Sequence, residues 1–127
     1  MDVMTDDSLQ DWYEDYLAAF NAKDIARLEH FLAPDIYFDW GGDMADLDGR
    51  EAFFTFYRAA WRHLTEHVRG RIIEADEHHI RAWIENTIEV DEDWPDSPLR
   101  PYVKGEVVQL SGEIVYTLDQ RRITRIA

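Results

Sequence analysis

Residues 9–20 carry six large apolar side chains at helical spacing: Leu9, Trp12, Tyr13, Tyr16, Leu17 and Phe20. Steps of three and four place them on one stripe of an α-helix, and four of the six are aromatic. So broad a stripe must be buried, so the rest of the chain has to offer this helix a wide apolar surface. Ser8 is a good N-cap, and Asp11 suits the positive helix end.

The later sequence supplies such a surface. Ile80, Ala82, Ile84, Ile88 and Val90 alternate with Arg81, Trp83, Glu85, Thr87 and Glu89, the pattern of a half-buried strand. Asn86 falls on the apolar side. Val103 to Leu118 reads as a second long strand with Gly112 at a bulge or bend, and Arg122 to Ile126 as a last strand after a turn at Asp119-Gln120. Asp76 to His79 turns an earlier strand, beginning near residue 66, into the one at 80–90. DEDWPDSPLRP is a proline-punctuated acidic loop. Upstream, Asp24 caps a short helix through Ile25, Leu28, Phe31 and Leu32 that Pro34 ends. Ile36 to Trp40 is a strand with Ile36, Phe38 and Trp40 on one side and Tyr37 and Asp39 on the other. GGDMADLDG is a loop in which Asp43, Asp46 and Asp48 are solvated. Asp48 and Glu51 read as a capping-box variant opening a third helix through Phe53, Phe54, Phe56, Tyr57, Ala60, Trp61 and Leu64. Helices first and strands later predict an α+β fold, three N-terminal helices packed on an antiparallel sheet.

The length, 127 residues, fits a single domain spanning 1–127, and 46% hydrophobic residues suffice for a core. A net charge of −14 repels nucleic acid and anionic membranes, so neither is an expected partner. No apolar run is long enough to span a bilayer. The acidic start, MDVMTDDS, has no apolar segment of the signal-peptide kind, and there are no cysteines. These features lead us to expect a cytoplasmic protein.

YLAAFNAKDIARLEHFLAPDIYFDW, a loop, and LDGREAFFTFYRAAW together resemble the SnoaL-like branch of the nuclear transport factor 2-like superfamily. Its relatives include ketosteroid isomerase, scytalone dehydratase and polyketide cyclases. The resemblance implies a cone-shaped α+β barrel, with a curved sheet wrapped around the first helix and a pocket between them. It also implies acid–base chemistry without metal or organic cofactor on a small hydrophobic cyclic or aromatic substrate, by a lyase, isomerase or cyclase route. A non-catalytic binding protein on the same scaffold is the alternative. Tyr16 matches the isomerase's oxyanion-donating tyrosine. Trp40 stands where that enzyme has its aspartate base, and Ile114 falls near its second donor, which argues against steroid isomerisation. His67 resembles a catalytic histidine of the dehydratase, but Val90 and Asn21 stand near that enzyme's other catalytic positions.

HLTEH, residues 63–67, has the H-x-x-E-H order of one class of zinc peptidase. That site needs both histidines on one helix face. Here a helix should be ending and a strand beginning, so we expect no metal. His63 becomes a helix-end residue, and His67 is expected to face the pocket as the proton carrier. Tyr16 and Asp39 complete the expected catalytic set. Trp40, Trp61, Asn86, Phe20 and Tyr57 are the expected substrate-binding residues. Glu85 and Glu89 should face outward with Trp83, whose exposure points to a homodimer through the outer sheet face.

Overall fold

The computed structural model describes residues 6–41 and 45–127. Residues 1–5 of the acidic start and residues 42–44 of the glycine loop, Asp43 among them, lie outside the described residues. The elements run α1 (Asp6–Asn21), α2 (Ile25–Leu28), β1 (Leu32–Phe38), β2 (Leu47–Asp48), α3 (Arg50–Ala60), β3 (Leu64–Ala75), β4 (His79–Val90), β5 (Val107–Asp119) and β6 (Arg122–Ile126). The six strands form one open, curved sheet in the order β2-β1-β6-β5-β4-β3. This is the expected α+β cone, with one amendment: β1 pairs with β6 in parallel, so the sheet is mixed.

α1 starts at Asp6, which puts Ser8 inside the helix rather than at its cap. It ends in a Schellman turn. Lys23 takes a left-handed φ of 58°, and the Asp24 and Lys23 amides donate to the carbonyls of Ala19 and Phe20. Asp24 caps α2, accepting from the Arg27 amide, but α2 is a single turn. Leu32 and Pro34 therefore belong to β1. The proline is tolerated there because the β1–β6 register is irregular between Leu32 and Tyr37, so it interrupts no ladder hydrogen bond.

The expected capping box before α3 does not form. Asp48 pairs with Tyr37 in β2, and the cap is Gly49, whose φ of 95° favours glycine. α3 also stops at Ala60, earlier than its apolar pattern. Leu64 is drawn into β3 opposite Val90, because pairing with a neighbouring strand outweighs one more helical turn. The β4–β5 register runs unbroken through Gly112, so no bulge sits there; the shift occurs between Thr117 and Leu118, against β6.

The α1 stripe lies against the inner face of β3, and Gly70 permits the approach. A Cβ there would sit 2.6 Å from the Tyr13 ring and hydroxyl and 2.9 Å from Leu17. Two amides of α1 then close the open edge of β3. Asn21 donates to the Val68 carbonyl (2.9 Å) and accepts from the Val68 amide (2.8 Å). Gln10 does the same for the Gly70 carbonyl (3.3 Å) and the Ile72 amide (3.0 Å). The helix thus satisfies backbone groups that an edge strand would otherwise expose to another chain. Tyr13, Leu32, Ile36, Phe53 and Ile80 are sealed within the core.

Candidate functional site

The sheet and helices enclose a cavity of about 210 Å³. α1 contributes Tyr16 and Phe20, β1 Phe38 and Trp40, and α3 Phe56 and Tyr57. The far wall is Glu66 of β3, Asn86 of β4 and Ile114 of β5. The loop between β4 and β5 folds over one end with Trp94 and Tyr102, which bridge each other, and Leu99. Trp94 also stacks on His63, ring centroids 5.1 Å apart and planes 6° from parallel. The walls are overwhelmingly apolar and aromatic, as in sites for small organic ligands.

Within this greasy lining sits one carboxylate, Glu66. Its Oε1 accepts from Asn86 Nδ2 at 3.2 Å. Its Oε2 is buried with no protein partner of normal hydrogen-bond geometry, although the Trp61 indole helps to hold the charge. Burial raises the Glu66 pKa above the ordinary carboxylate range, against the opposing pulls of Asn86, Trp61 and the Lys23 ammonium. Lys23 stays outside the cavity, its Nζ donating to the Trp61 carbonyl (3.3 Å) and approaching Thr65 Oγ1 (3.4 Å). Because Asn86 turns its amino group to the carboxylate, its Oδ1 is left buried and unpartnered.

The tyrosines around Glu66 are held neutral. Burial pushes Tyr16 and Tyr57 far above the usual phenol value, and the nearby Glu66 charge adds to both shifts. Tyr13 is raised to about 12 by burial and shares a 2.9 Å hydroxyl–hydroxyl hydrogen bond with Tyr116. Such phenols can donate a hydrogen bond but cannot take up a proton at neutral pH. Among the described residues lining the cavity, Glu66 is the one carboxyl group, and its burial favours the protonated form more than water would.

Five expected site residues line the cavity: Tyr16, Trp40, Asn86, Phe20 and Tyr57. Three do not. His67 was expected to face the pocket, but the pleat turns it to the outer face, where its side chain is 55% exposed and 3.6 Å from Glu89. Asp39 points away from Trp40, pairs with Arg125 at 2.9 Å and caps the Gly41 amide at 3.0 Å. Trp61 stands behind the wall, packed edge-on to Phe20 at 5.5 Å, and reaches the site only through Glu66. The histidines of HLTEH thus share no site: one stacks on Trp94 and the other faces Glu89.

Glu66, the residue sequence reasoning passed over, is the fourth letter of that motif. A signal existed. Starting the strand at Leu64 instead of near residue 66, alternation places Leu64, Glu66 and Val68 on the same side, paired with Val90, Ile88 and the inward Asn86.

Residues 13–126 match the SnoaL-like domain family. The chain belongs to that family. Solved structures of other proteins align along nearly its whole length. A candidate polyketide cyclase from Xanthomonas campestris pv. campestris is 25% identical over 91% of this chain and 84% of its own, with a TM-score of 0.72. One from Pseudomonas putida is 21% identical over 98% and 90%, with a TM-score of 0.77. An epoxide hydrolase of the LEH-like kind from M. tuberculosis is 18% identical over 91% and 76%, with a TM-score of 0.70. The last two show the fold alone. No curated protein matches the sequence. Among the described residues no helix is long and apolar enough to cross a membrane.

Proposed function

We propose that this SnoaL-like domain is a cofactor-independent acid–base enzyme of lyase, isomerase or cyclase type acting on a small hydrophobic cyclic substrate. The observation that carries the reading is Glu66: a carboxylate buried in an aromatic cavity, one oxygen held by Asn86 and the other without a protein partner of normal hydrogen-bond geometry. Burying such a group costs stability, and a raised pKa is what a proton carrier working near neutrality needs. Glu66 Oε2 takes a proton from carbon beside a substrate carbonyl, and the C–H electron pair becomes the C=C bond of the enol or enolate. Tyr16 and Tyr57, kept neutral, donate hydrogen bonds toward the oxygen on which charge develops. Return of the proton to another carbon gives isomerisation; loss of a β-hydroxyl as water, with that proton, gives dehydration.

The cavity limits the substrate's size. An apolar protein cavity of about 150 Å³ accepts benzene, so about 210 Å³ suits a substituted ring. The test is deuterium exchange at the α-carbon of a cyclic ketone such as α-tetralone, followed by NMR in D₂O. Wild type and His67→Ala should catalyse exchange, and Glu66→Gln should be at the buffer rate. Equal rates for wild type and Glu66→Gln would end the acid–base reading. Retained binding without exchange would favour the alternative, a non-catalytic ligand-binding protein, which the absence of a second titrating group beside Glu66 among the described lining residues supports.

We also propose self-association through the outer sheet face. Trp83 is 38% exposed at its centre, with Val115 and the Arg81–Glu113 ion pair beside it. Trp83→Glu should convert a dimer to a monomer in sedimentation equilibrium; a wild-type monomer at high concentration refutes it.

A further inference from the structure

We infer that Trp40 is a hydrogen-bond anchor that makes the site selective for ring compounds carrying an acceptor oxygen on the side away from Glu66. This rests on the cavity being the ligand site, as above, but not on proton transfer there.

Three polar atoms of cavity-lining residues are buried with no protein partner of normal hydrogen-bond geometry: Trp40 Nε1, Glu66 Oε2 and Asn86 Oδ1. An unmade hydrogen bond at a buried group is costly, and native proteins carry few. Their chemistry is complementary rather than random. Glu66 Oε2 and Asn86 Oδ1 are acceptors at one wall, on adjacent strands. Trp40 Nε1 can only donate. β1, which leads into Trp40, is separated from β4 in the sheet by β6 and β5. Three strand spacings measured flat are about 14 Å, and curvature brings the two walls closer than that. A single ring with polar groups at opposite ends matches such a span.

Trp40 is also held rigidly, as an anchor must be. Its indole stacks on Phe38 with centroids 4.1 Å apart and planes 14° from parallel. Phe56 packs against it at 5.3 Å. Its backbone amide donates to Asp46 Oδ1 at 3.3 Å. An apolar wall alone would be served as well by phenylalanine, already used at Phe38, Phe53 and Phe56. The indole adds a donor, one that is buried without a protein partner in a residue lining the cavity. The ligand class is therefore an uncharged ring with a carbonyl or ether oxygen toward Trp40 and an O–H or N–H toward Asn86.

Acetophenone and α-methylstyrene test this, being close in shape and differing in C=O against C=CH₂. Binding is followed by ¹H–¹⁵N NMR of the tryptophan indoles, with the Trp40 signal assigned in wild type from its correlations to its own backbone resonances. In wild type, acetophenone should bind about tenfold more tightly than α-methylstyrene and move the Trp40 N–H downfield. In Trp40→Phe the ratio should fall to about one while α-methylstyrene affinity holds. The proposal is overturned by an unchanged ratio in Trp40→Phe, by a stationary Trp40 N–H at acetophenone saturation, or by failure of both probes to bind. The wild-type shift stands even if the variant folds poorly. A ratio near one with Glu66-dependent exchange intact refutes only this inference. A tenfold ratio without exchange refutes only the proton-transfer reading.

Discussion

The two faces of β3 and β4 hold the same kinds of side chain under opposite conditions. On the outer face every named carboxylate has a basic partner and water: Glu85 with Arg69 at 3.1 Å, Glu74 and Glu113 with Arg81 at 2.8 and 3.0 Å, Glu89 with His67. On the inner face Glu66 has an amide, an indole and a wall of aromatics. One residue step separates Glu66 from His67, and the pleat sends one to each environment. Exposed pairs contribute little to stability and are screened by salt. The inner carboxylate is unfavourable to stability, which is the more telling fact: a chain that could place glutamine there places glutamate. The comparison teaches that chemistry in this fold is assigned by strand register, more than by which residue types cluster in sequence.

The largest test of the inner face concerns how α1 reaches it. Gly70→Ala places a methyl 2.6 Å from Tyr13 ring atoms and its hydroxyl, where neither the buried ring nor the strand can yield freely. We expect a loss of about 3 kcal/mol, at the upper end for overpacking. The Tyr13–Tyr116 hydroxyl bond should loosen with it. Urea unfolding measures the first and the Tyr13 environment in near-UV circular dichroism the second. The equivalent change at Gly112, where a Cβ would meet nothing within 4 Å, should cost far less.

Next comes the edge. Asn21→Ala removes a donor and an acceptor from the backbone of Val68, two residues from Glu66. About 1–3 kcal/mol should be lost, as for other half-buried groups left unpaired. Hydrogen exchange should quicken selectively at Val68, whose amide donates to that side chain. Exchange unchanged there would show that water replaces Asn21 without loss.

Much of this fold could be read from the sequence, because its signals are periodic. The α1 stripe and the Ile80–Val90 alternation survive any local uncertainty. What failed was local. Pro34, Asp48 and Leu64 each obey a helix rule on their own, and each is overruled by strand pairing: Leu32 pairs with Ile123, Asp48 with Tyr37, Leu64 with Val90. The site suffered through the last of these. A strand starting near residue 66 leaves the face of Glu66 and His67 open, and the family resemblance alone favours the histidine. The buried neutral tyrosines could not be foreseen either, since Tyr16 reads equally as core packing until its distance to Glu66 is known. Trp40, Asn86, Phe20 and Tyr57 were legible because alternation or the helix stripe placed each on an inward face.

Glu66→Gln sharpens the contrast through pH. The folded state holds the Glu66 proton more tightly than the unfolded chain, whose carboxyl has its ordinary value near 4.5. Between that value and the raised folded one, the folded protein binds more protons than the unfolded, so wild-type stability falls as pH rises through the window and then levels. Glutamine has no such penalty. The variant should match wild type at acidic pH and be the more stable of the two once the pH has passed through that window. A variant no more stable at pH 7 than wild type would mean that the carboxylate is better satisfied than its geometry indicates.

His67→Ala is expected to do least, and for that reason it decides most about the outer face. The imidazole is half exposed, and its contact with Glu89 is long at 3.6 Å. Exposed pairs of this kind contribute at most a few tenths of a kcal/mol, so the change in stability should stay within about 0.5 kcal/mol. It should also leave acetophenone affinity and the rate of α-proton exchange unaltered, because the β3 backbone lies between the imidazole and the cavity. Thermal unfolding and the exchange assay read the two quantities independently. A variant that is stable but has lost exchange would reverse the assignment of faces, since no outward group at that position can touch a substrate in the cavity. A variant that keeps exchange while Glu66→Gln loses it would place the chemistry of HLTEH on its one inward carboxylate.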